Sequence, residues 1–187
     1  MALTTDTLTD LVQDLRSIAA ETTDPQAIIT RLSPLVQRAA LSKDWLVPQH
    51  YTCDDEQGFG VHLLHEEADH TLAIFAISWL PGRGAPPHNH GTWAVVAGVD
   101  GPETNTFWKR LDDGSRAGYA ELAWNGEKVF GPGEAVAFLP HEIHSVTNDT
   151  DAVTVSLHVY GKHLNHTGRS QFDPATRTEK PFLVSHD

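Results

Sequence analysis

The sequence predicts an all-β barrel or jelly roll of antiparallel strands, preceded by helices. From about residue 61 onward, apolar runs rich in β-forming residues recur, and they end at turn signals such as Pro81-Gly82, Asp100-Gly101 and Asp112-Asp113-Gly114. No helical periodicity separates these runs, which disfavours an alternating α/β sheet. Helical periodicity is confined to the first fifty residues. With 187 residues, 40% of them hydrophobic, the chain fits one structural domain.

Two helices are predicted before the barrel. A second helix is expected to begin at Asp24, because an aspartate cap followed by Pro25 at the first helical position is a favoured entry, and Pro34 is expected to kink or split it. We expect residues 1–50 to form a helical cover packed outside a barrel of residues 51–187. The first helix is predicted from apolar residues at helical spacing: Leu8, Leu11, Val12, Leu15, Ile18 and Ala19.

Apolar segments bounded by turn residues give the predicted strands. They begin near Val61 and continue at residues 72–80, 93–99, 106–111, 119–124, 135–139, 143–147 and 153–160. The tail beyond residue 160 is polar, and we expect it to be loop-like before a last short apolar run at residues 182–184.

The composition excludes several classes of partner and site. A formal net charge of −12 argues against nucleic acid or an anionic membrane as a partner, because both require a basic face. The N-terminus has no basic region followed by an apolar one, so we expect a cytoplasmic protein. The single cysteine, Cys53, excludes an internal disulfide and a thiolate-rich metal site. Any metal is therefore held by nitrogen and perhaps oxygen ligands.

Three histidines are candidate metal ligands. His88 and His90 are separated by one residue, so on an extended backbone both imidazoles point to the same side. His144 follows about fifty residues later, just after Pro140, and His141 is the alternative third ligand. This layout is typical of a metal site built from neighbouring strands.

These histidines lie in segments that resemble the two motifs of the cupin superfamily. The glutamate that cupins usually carry is missing, since Ala94 and Val95 occupy its place. Loss of that glutamate is a feature of the thiol dioxygenases, cupins that use three histidines. The residues that carry the resemblance are Gly82, His88, His90 and Gly101 in the first segment, and Gly133, Pro140, His144 and Asn148 in the second.

A third segment makes the resemblance more specific. Ser156, His158 and Tyr160 match the Ser-x-His-x-Tyr relay of the thiol dioxygenases, and their spacing puts them on one face of a strand. The resemblance implies a jelly-roll fold, an iron(II) ion on His88, His90 and His144, and addition of both atoms of O2 to a thiol sulfur to give a sulfinate.

The departures from the family pattern concern the substrate. Val95 stands where animal cysteine dioxygenase has the cysteine that is cross-linked to the relay tyrosine, so Tyr160 is expected to be an ordinary phenol. The carboxylate-binding arginine of that enzyme would fall near His62, which cannot form the same bidentate fork. Arg169 resembles the arginine of the mercaptopropionate-type relatives. Both Arg169 and His62 are candidate substrate-binding residues, and the match favours a simple mercapto-acid such as 3-mercaptopropionate, with a cysteine-like thiol as the alternative.

The chemistry of the ligand set is compatible with this interpretation. Three neutral imidazoles leave the full charge of a divalent metal uncompensated, which favours an anionic thiolate as a further ligand. Two other classes stay open: a three-histidine cupin of different chemistry, such as a diketone-cleaving dioxygenase or an isomerase, and a non-catalytic metal- or ligand-binding cupin. The expected partners are a small thiol and O2, with the protein a monomer or small homo-oligomer.

Overall fold

Strands in two antiparallel sheets make up most of the regular secondary structure in the computed structural model, which describes residues 6–185. The helices are α1 (Asp6–Glu21) and α2 (Pro25–Ser42), with short 3-10 helices at Pro48–Tyr51 and Leu164–His166. The strands are β1 (Phe59–His65), β2 (Thr71–Trp79), β3 (Gly84–His88), β4 (Ala94–Asp100), β5 (Glu103–Arg110), β6 (Leu122–Phe130), β7 (Ala135–Phe138), β8 (Ile143–Thr147), β9 (Thr154–Lys162), β10 (Ser170–Asp173) and β11 (Thr178–Pro181).

The two sheets form a jelly-roll barrel, the architecture also called a double-stranded β-helix. One sheet has the strand order β1-β2-β9-β4-β7 and the other β11-β10-β3-β8-β5-β6. Neighbouring strands that are distant in sequence, such as β2 and β9, pair antiparallel, as a jelly roll requires. The fold class predicted from the sequence is confirmed.

The helices cover the outer face of the first sheet. On β4 and β9, side chains alternate between the helix side, where Val95 and Leu157 pack with α1 and α2, and the barrel side, where Ala94 and Tyr160 lie. Leu32 of α2 is fully buried against this outer face. The division at residues 1–50 and 51–187 stays a proposal, and residues 1–5 and 186–187 lie outside the described residues.

The start of α2 agrees with the sequence. The Asp24 carboxylate accepts hydrogen bonds from the backbone N–H groups of Gln26 and Ala27, and Pro25 takes the first helical position. Pro34 lies inside α2, which continues to Ser42, so the expectation that it splits the helix is wrong. None of the helices within residues 6–185 has the length and apolar character needed to cross a membrane.

Two segments differ from the sequence prediction. The strand predicted at residues 119–124 is β6, Leu122–Phe130. In the described part of the chain it is an edge strand that pairs with β5, and its polar middle is exposed to solvent. Its sequence therefore lacks the hydrophobic alternation that would have given its bounds. The tail predicted as a loop instead forms the hairpin of β10 and β11. These strands of four residues are too short and too polar to be recognised by periodicity.

Candidate metal centre

Strand pairing between β3 and β8 brings the three predicted ligands together. His88 ends β3 and lies directly across from His144 of β8, while His90 follows two residues after β3. Each is at least 95% buried, with exposed fractions of 5%, 1% and 1% for His88, His90 and His144. Their ring nitrogens all lie within 4.8 Å of one another, close enough for one metal ion. The alternative ligand His141 is exposed.

Hydrogen bonds at the far side of two rings fix which nitrogen is available. Nδ1 of His88 lies 2.8 Å from the carbonyl oxygen of Pro86, and Nδ1 of His144 lies 2.8 Å from Oδ1 of Asn105. Both partners are acceptors, so each Nδ1 carries the hydrogen and each Nε2 keeps its lone pair. The two rings are therefore held in the tautomer that binds metal through Nε2.

The charge state of the group also fits a cation. Burial, reinforced by the Arg169 guanidinium, lowers the pKa of His88 to about 3. Burial and the neighbouring histidines hold the pKa of His90 and His144 well below the usual range, so all three rings are neutral. Nε2 of His144 lies 3.3 Å from Nε2 of His90, and Nδ1 of His90 is buried without a hydrogen-bond partner. A divalent metal bound by one ring nitrogen of each histidine would use the lone pairs that these neutral rings bring together.

The relay residues form a continuous hydrogen-bonded row on β9. Oγ of Ser156 lies 2.9 Å from Nε2 of His158, and Nδ1 of His158 lies 2.8 Å from Oη of Tyr160. Burial lowers the pKa of His158 to about 3 and raises that of Tyr160 above its ordinary value, so both are neutral. The Tyr160 ring lies 5.4 Å from that of His90, which places the phenol end of the row beside the histidine cluster.

Arg169 lies in the same cavity, just before β10, the strand that pairs with β3. It is 4% exposed; its Nε donates to the carbonyl oxygen of Phe182, and its guanidinium stacks 4.2 Å from the Phe182 ring centroid. Nη2 is buried without a partner, and no carboxylate of residues 6–185 forms an ion pair with it within 4 Å. Burial lowers the pKa of Arg169 to about 10, still far above neutrality, so the side chain remains a cation.

The cavity that these residues share is narrow, with a volume of about 20 Å³ accessible to a water-sized sphere. Its polar side chains are His88, His144, His158, Tyr160 and Arg169, and the remainder of the lining is mainly apolar. A small ligand with one anionic group fits this chemistry. The apolar lining residues are Phe59, Val61, Ile77, Trp79, Ala85, Val146, Leu164, Phe182 and Val184.

His62, the other candidate for substrate binding, lies elsewhere. On β1, Phe59 and Val61 face the cavity, while His62 points to the opposite face, where its Nε2 lies 3.0 Å from the carbonyl oxygen of Thr52. The strand alternation that directs Val61 inward directs His62 outward. The structure thus separates His62 from the cavity.

Two polar residues at this site were missed by the sequence reasoning, and both lie on β5. Asn105 is 3% exposed and orients His144, while Glu103 is 4% exposed and lies 3.0 Å from Ser156 through its Oε2 atom. No motif marks either residue. Thr104 and Thr106 are polar as well, so no alternation in the sequence identifies Glu103 and Asn105 as the inward-facing residues.

No family model matches the chain. An oxalate oxidase in complex with glycolate is 16% identical over 59% of this chain and 56% of its own, with a TM-score of 0.46. The match therefore spans little more than half of that oxidase. A conserved Klebsiella pneumoniae protein with a double-stranded β-helix domain is 11% identical over 66% of this chain and 86% of its own, with a TM-score of 0.48.

A cupin domain of a transcriptional regulator from Enterobacter cloacae is 18% identical over 56% of this chain and 96% of its own, with a TM-score of 0.40. Likenesses at this level carry no functional argument, which rests on the residues of the site. Fold and site together define the class: a double-stranded β-helix protein with a buried three-histidine group suited to a transition metal.

Proposed function

We propose that this protein is an iron(II)-dependent thiol dioxygenase that adds both atoms of O2 to the sulfur of a small mercapto-acid, giving a sulfinate. One observation carries the proposal. A buried guanidinium with an unpartnered Nη2 faces the same small cavity as two of the candidate ligands, His88 and His144, and the end of the tyrosine relay. A mercapto-acid offers a thiolate for the metal end and a carboxylate for the guanidinium end.

His88, His90 and His144 would hold the iron. When bound, iron(II) supplies the redox and Lewis-acid chemistry for joining oxygen to sulfur. The three imidazoles bring no negative charge to the site, so an anionic thiolate is attracted to it without competition from a ligating carboxylate. Among residues 6–185, the ligand group contains no aspartate or glutamate.

Arg169 would bind the substrate carboxylate. A buried cation without a counter-ion is costly, and an anionic ligand that enters the cavity removes that cost. Because Nε is already bonded to the carbonyl oxygen of Phe182 and the guanidinium plane lies against the Phe182 ring, the side chain is fixed before the ligand arrives. Such preorganisation favours binding, since little side-chain entropy is then lost.

Tyr160 would orient the reacting groups. Its phenol keeps its proton at neutral pH because burial raises its pKa. His158 holds the Oη atom at 2.8 Å, so the direction of the phenol is set by the row and not by solvent. A neutral phenol in that position can donate a hydrogen bond to an anionic group in the cavity.

A panel of thiols tests the proposal. The iron-loaded protein is incubated with 3-mercaptopropionate, cysteine and cysteamine while oxygen uptake and sulfinate formation are followed. We expect one O2 consumed per sulfinate, both product oxygens derived from isotopically labelled dioxygen, and the order 3-mercaptopropionate above cysteine above cysteamine. Bound iron without sulfinate from any carboxylate thiol would overturn the proposal and favour another three-histidine chemistry.

A further inference from the structure

A buried carboxyl group lies at the far end of the relay. Glu103 begins β5, is 4% exposed, and has no ion-pair partner among the salt bridges of residues 6–185. Its Oε2 lies 3.0 Å from Oγ of Ser156, and its Oε1 lies 3.4 Å from Oγ1 of Thr154. The side chains of Glu103, Ser156, His158 and Tyr160 therefore form one unbroken hydrogen-bonded row that ends at the cavity.

We infer that Glu103 is a positioning residue whose protonation state sets the direction of every hydrogen bond in this row. The inference deepens the proposed function, on which its catalytic consequence rests. A protonated Glu103 donates to Ser156, Ser156 donates to Nε2 of His158, and Nδ1–H of His158 donates to Tyr160. The Tyr160 hydrogen then points into the cavity.

Ionisation of Glu103 reverses the row. The carboxylate accepts from Ser156, whose oxygen accepts from Nε2–H of His158, and Nδ1 of His158 accepts the Tyr160 hydrogen. The phenol then presents a lone pair to the cavity. The indole N–H of Trp79, 3.2 Å from Oγ of Ser156, can donate in both states, so neither direction leaves the serine unsatisfied.

The surroundings of Glu103 place this change in an accessible pH range. Burial raises its pKa to about 8, partly opposed by hydrogen bonds from Ser156, Thr154 and Trp79. The hydroxyls on β9 and the indole on β2 face the carboxyl, and its partner across β6 is Phe130. The titratable group next in the row is His158, whose pKa of about 3 keeps it neutral throughout.

The tautomer of His158 shows the direction of the hydrogen bonds in the row, and it can be measured without catalysis. Nitrogen NMR of the full chain, loaded with diamagnetic Zn²⁺, distinguishes Nδ1–H from Nε2–H. We expect the wild type to pass from Nδ1–H to Nε2–H as the pH rises through the Glu103 titration. Glu103→Gln, whose amide donates at every pH, should hold the Nδ1–H form.

Two matched variants locate the effect. Thr154→Val removes a second hydrogen bond to the same carboxyl group but leaves the row intact, so the tautomer change should persist with its midpoint moved to higher pH. Ser156→Ala interrupts the row, so His158 should no longer follow Glu103. A single His158 tautomer across the pH range in the wild type, or an unchanged titration in Glu103→Gln, would overturn the inference.

Activity separates this inference from the proposed function. If the tautomer changes as expected but no thiol is oxidised, the row stands and the proposed function fails. If thiols are oxidised, kcat in the wild type should fall above the Glu103 titration, because the Tyr160 hydrogen is then withdrawn, whereas Glu103→Gln should lose this decline. If kcat has the same pH profile in both proteins and the His158 tautomer does not change, the inference about Glu103 is overturned while the proposed function stands.

A different cluster carries a second, independent inference. Glu66, His70 and His166 place three ligand atoms within 4.8 Å of one another on the surface, outside the cavity described above. Nδ1 of His70 lies 2.7 Å from Oε1 of Glu66, and the rings of His70 and His166 stack with centroids 3.7 Å apart. His70 holds a left-handed backbone conformation, with φ of 66°.

We propose that this cluster binds a transition-metal ion such as Zn²⁺ through two imidazoles and one carboxylate, with water completing the coordination. Because imidazole lone pairs lie in the ring plane, binding requires the exposed His70 ring to turn out of its parallel stack on His166. His70 lies in the turn between β1 and β2, and His166 ends the short helix that precedes Arg169 by three residues. An ion here would tie that turn to the segment that carries Arg169.

Zn²⁺ titration of the full chain tests this site. The wild type should bind two ions, and His166→Ala should bind one while keeping the ion of the buried histidine cluster. His141→Ala, which removes another exposed histidine, is the matched control and should still bind two. The proposal would be overturned if His166→Ala and His70→Ala both still bind two ions.

Discussion

At the residue scale, the proposed function makes the guanidinium of Arg169 the group that distinguishes thiols with a carboxylate from thiols without one. A charge-assisted bidentate hydrogen bond contributes about 1.5–3 kcal/mol, which is roughly a ten- to hundredfold effect on affinity. We therefore expect Arg169→Ala to raise KM for carboxylate thiols by about that factor and to leave the KM of cysteamine nearly unchanged, as measured by steady-state oxygen uptake. Arg169→Lys, which keeps the charge without the fork, should recover part of the loss. Equal KM values for wild type and Arg169→Ala would contradict the assigned role.

In the proposed function, the Tyr160 hydroxyl tunes the site without holding the metal. Tyr160→Phe removes the end of the relay and leaves the packing of the ring against Phe75 and His90 in place. Turnover should slow while iron content, measured by elemental analysis, stays near that of the wild type. Peptide mass analysis of the wild type should find no Cys–Tyr cross-link, since Val95 stands where the resemblance to cysteine dioxygenase would place the cysteine. Loss of iron in Tyr160→Phe would make the phenol a metal ligand and contradict this role.

Asn105 holds His144 in its metal-binding tautomer through the 2.8 Å bond to Nδ1. Asn105→Ala leaves that N–H buried and unpaired, so metal affinity should fall by about 10- to 100-fold, as seen by competition with a chelator. Asn125→Ala, at an exposed position of β6, should leave the affinity unchanged. The same affinity in both variants would show that the strand alone orients His144.

At the element scale, what the sequence could predict follows from local pattern. Alternation along β9 predicted that Ser156, His158 and Tyr160 share a face, and the Asp24-Pro25 pair located the start of α2. The contributions of β5, β10 and the C-terminal segment could not be predicted, because they depend on which strands become neighbours in the jelly roll. Glu103 meets Ser156 across 53 positions of sequence, and no local signal encodes that contact.

The segment that follows β11 closes the cavity and positions Arg169. Phe182 is 7% exposed and lies against both the guanidinium and the His88 ring, whereas its neighbour Leu183 is 69% exposed. We expect Phe182→Ala to lower the free energy of unfolding by about 3 kcal/mol, because it empties a buried aromatic site, and to raise KM for carboxylate thiols. Urea unfolding and kinetics measure the two effects.

Leu183→Ala is the matched control, one position along the same segment. It should change the free energy of unfolding by no more than about 0.5 kcal/mol and leave KM unaltered, since the side chain is in solvent. Equal effects of the two variants would mean that the segment does not close the site.

At the scale of the whole molecule, folding buries several titratable side chains inside the barrel. Their desolvation makes the free energy of unfolding depend on pH. Folding keeps His88, His90, His144 and His158 neutral, so they contribute a stability that is lost as the pH falls below about 6.5, the ordinary histidine pKa. Glu103 has the opposite effect on the pH dependence of stability, because burial raises its pKa from 4.5 to about 8.

Between those two pKa values, the folded protein holds a proton on Glu103 that the unfolded chain has released, so the free energy of unfolding falls as pH rises through this range. Glu103→Gln cannot titrate, which predicts that its stability relative to the wild type increases between about pH 6.5 and 8, where the histidines are already neutral in both states. Urea denaturation at several pH values measures the difference between the two proteins, in which contributions from all other groups cancel. A constant difference across this range would mean that Glu103 is ionised in the folded protein at neutral pH, and the Tyr160 hydrogen would then point toward His158 instead of the cavity.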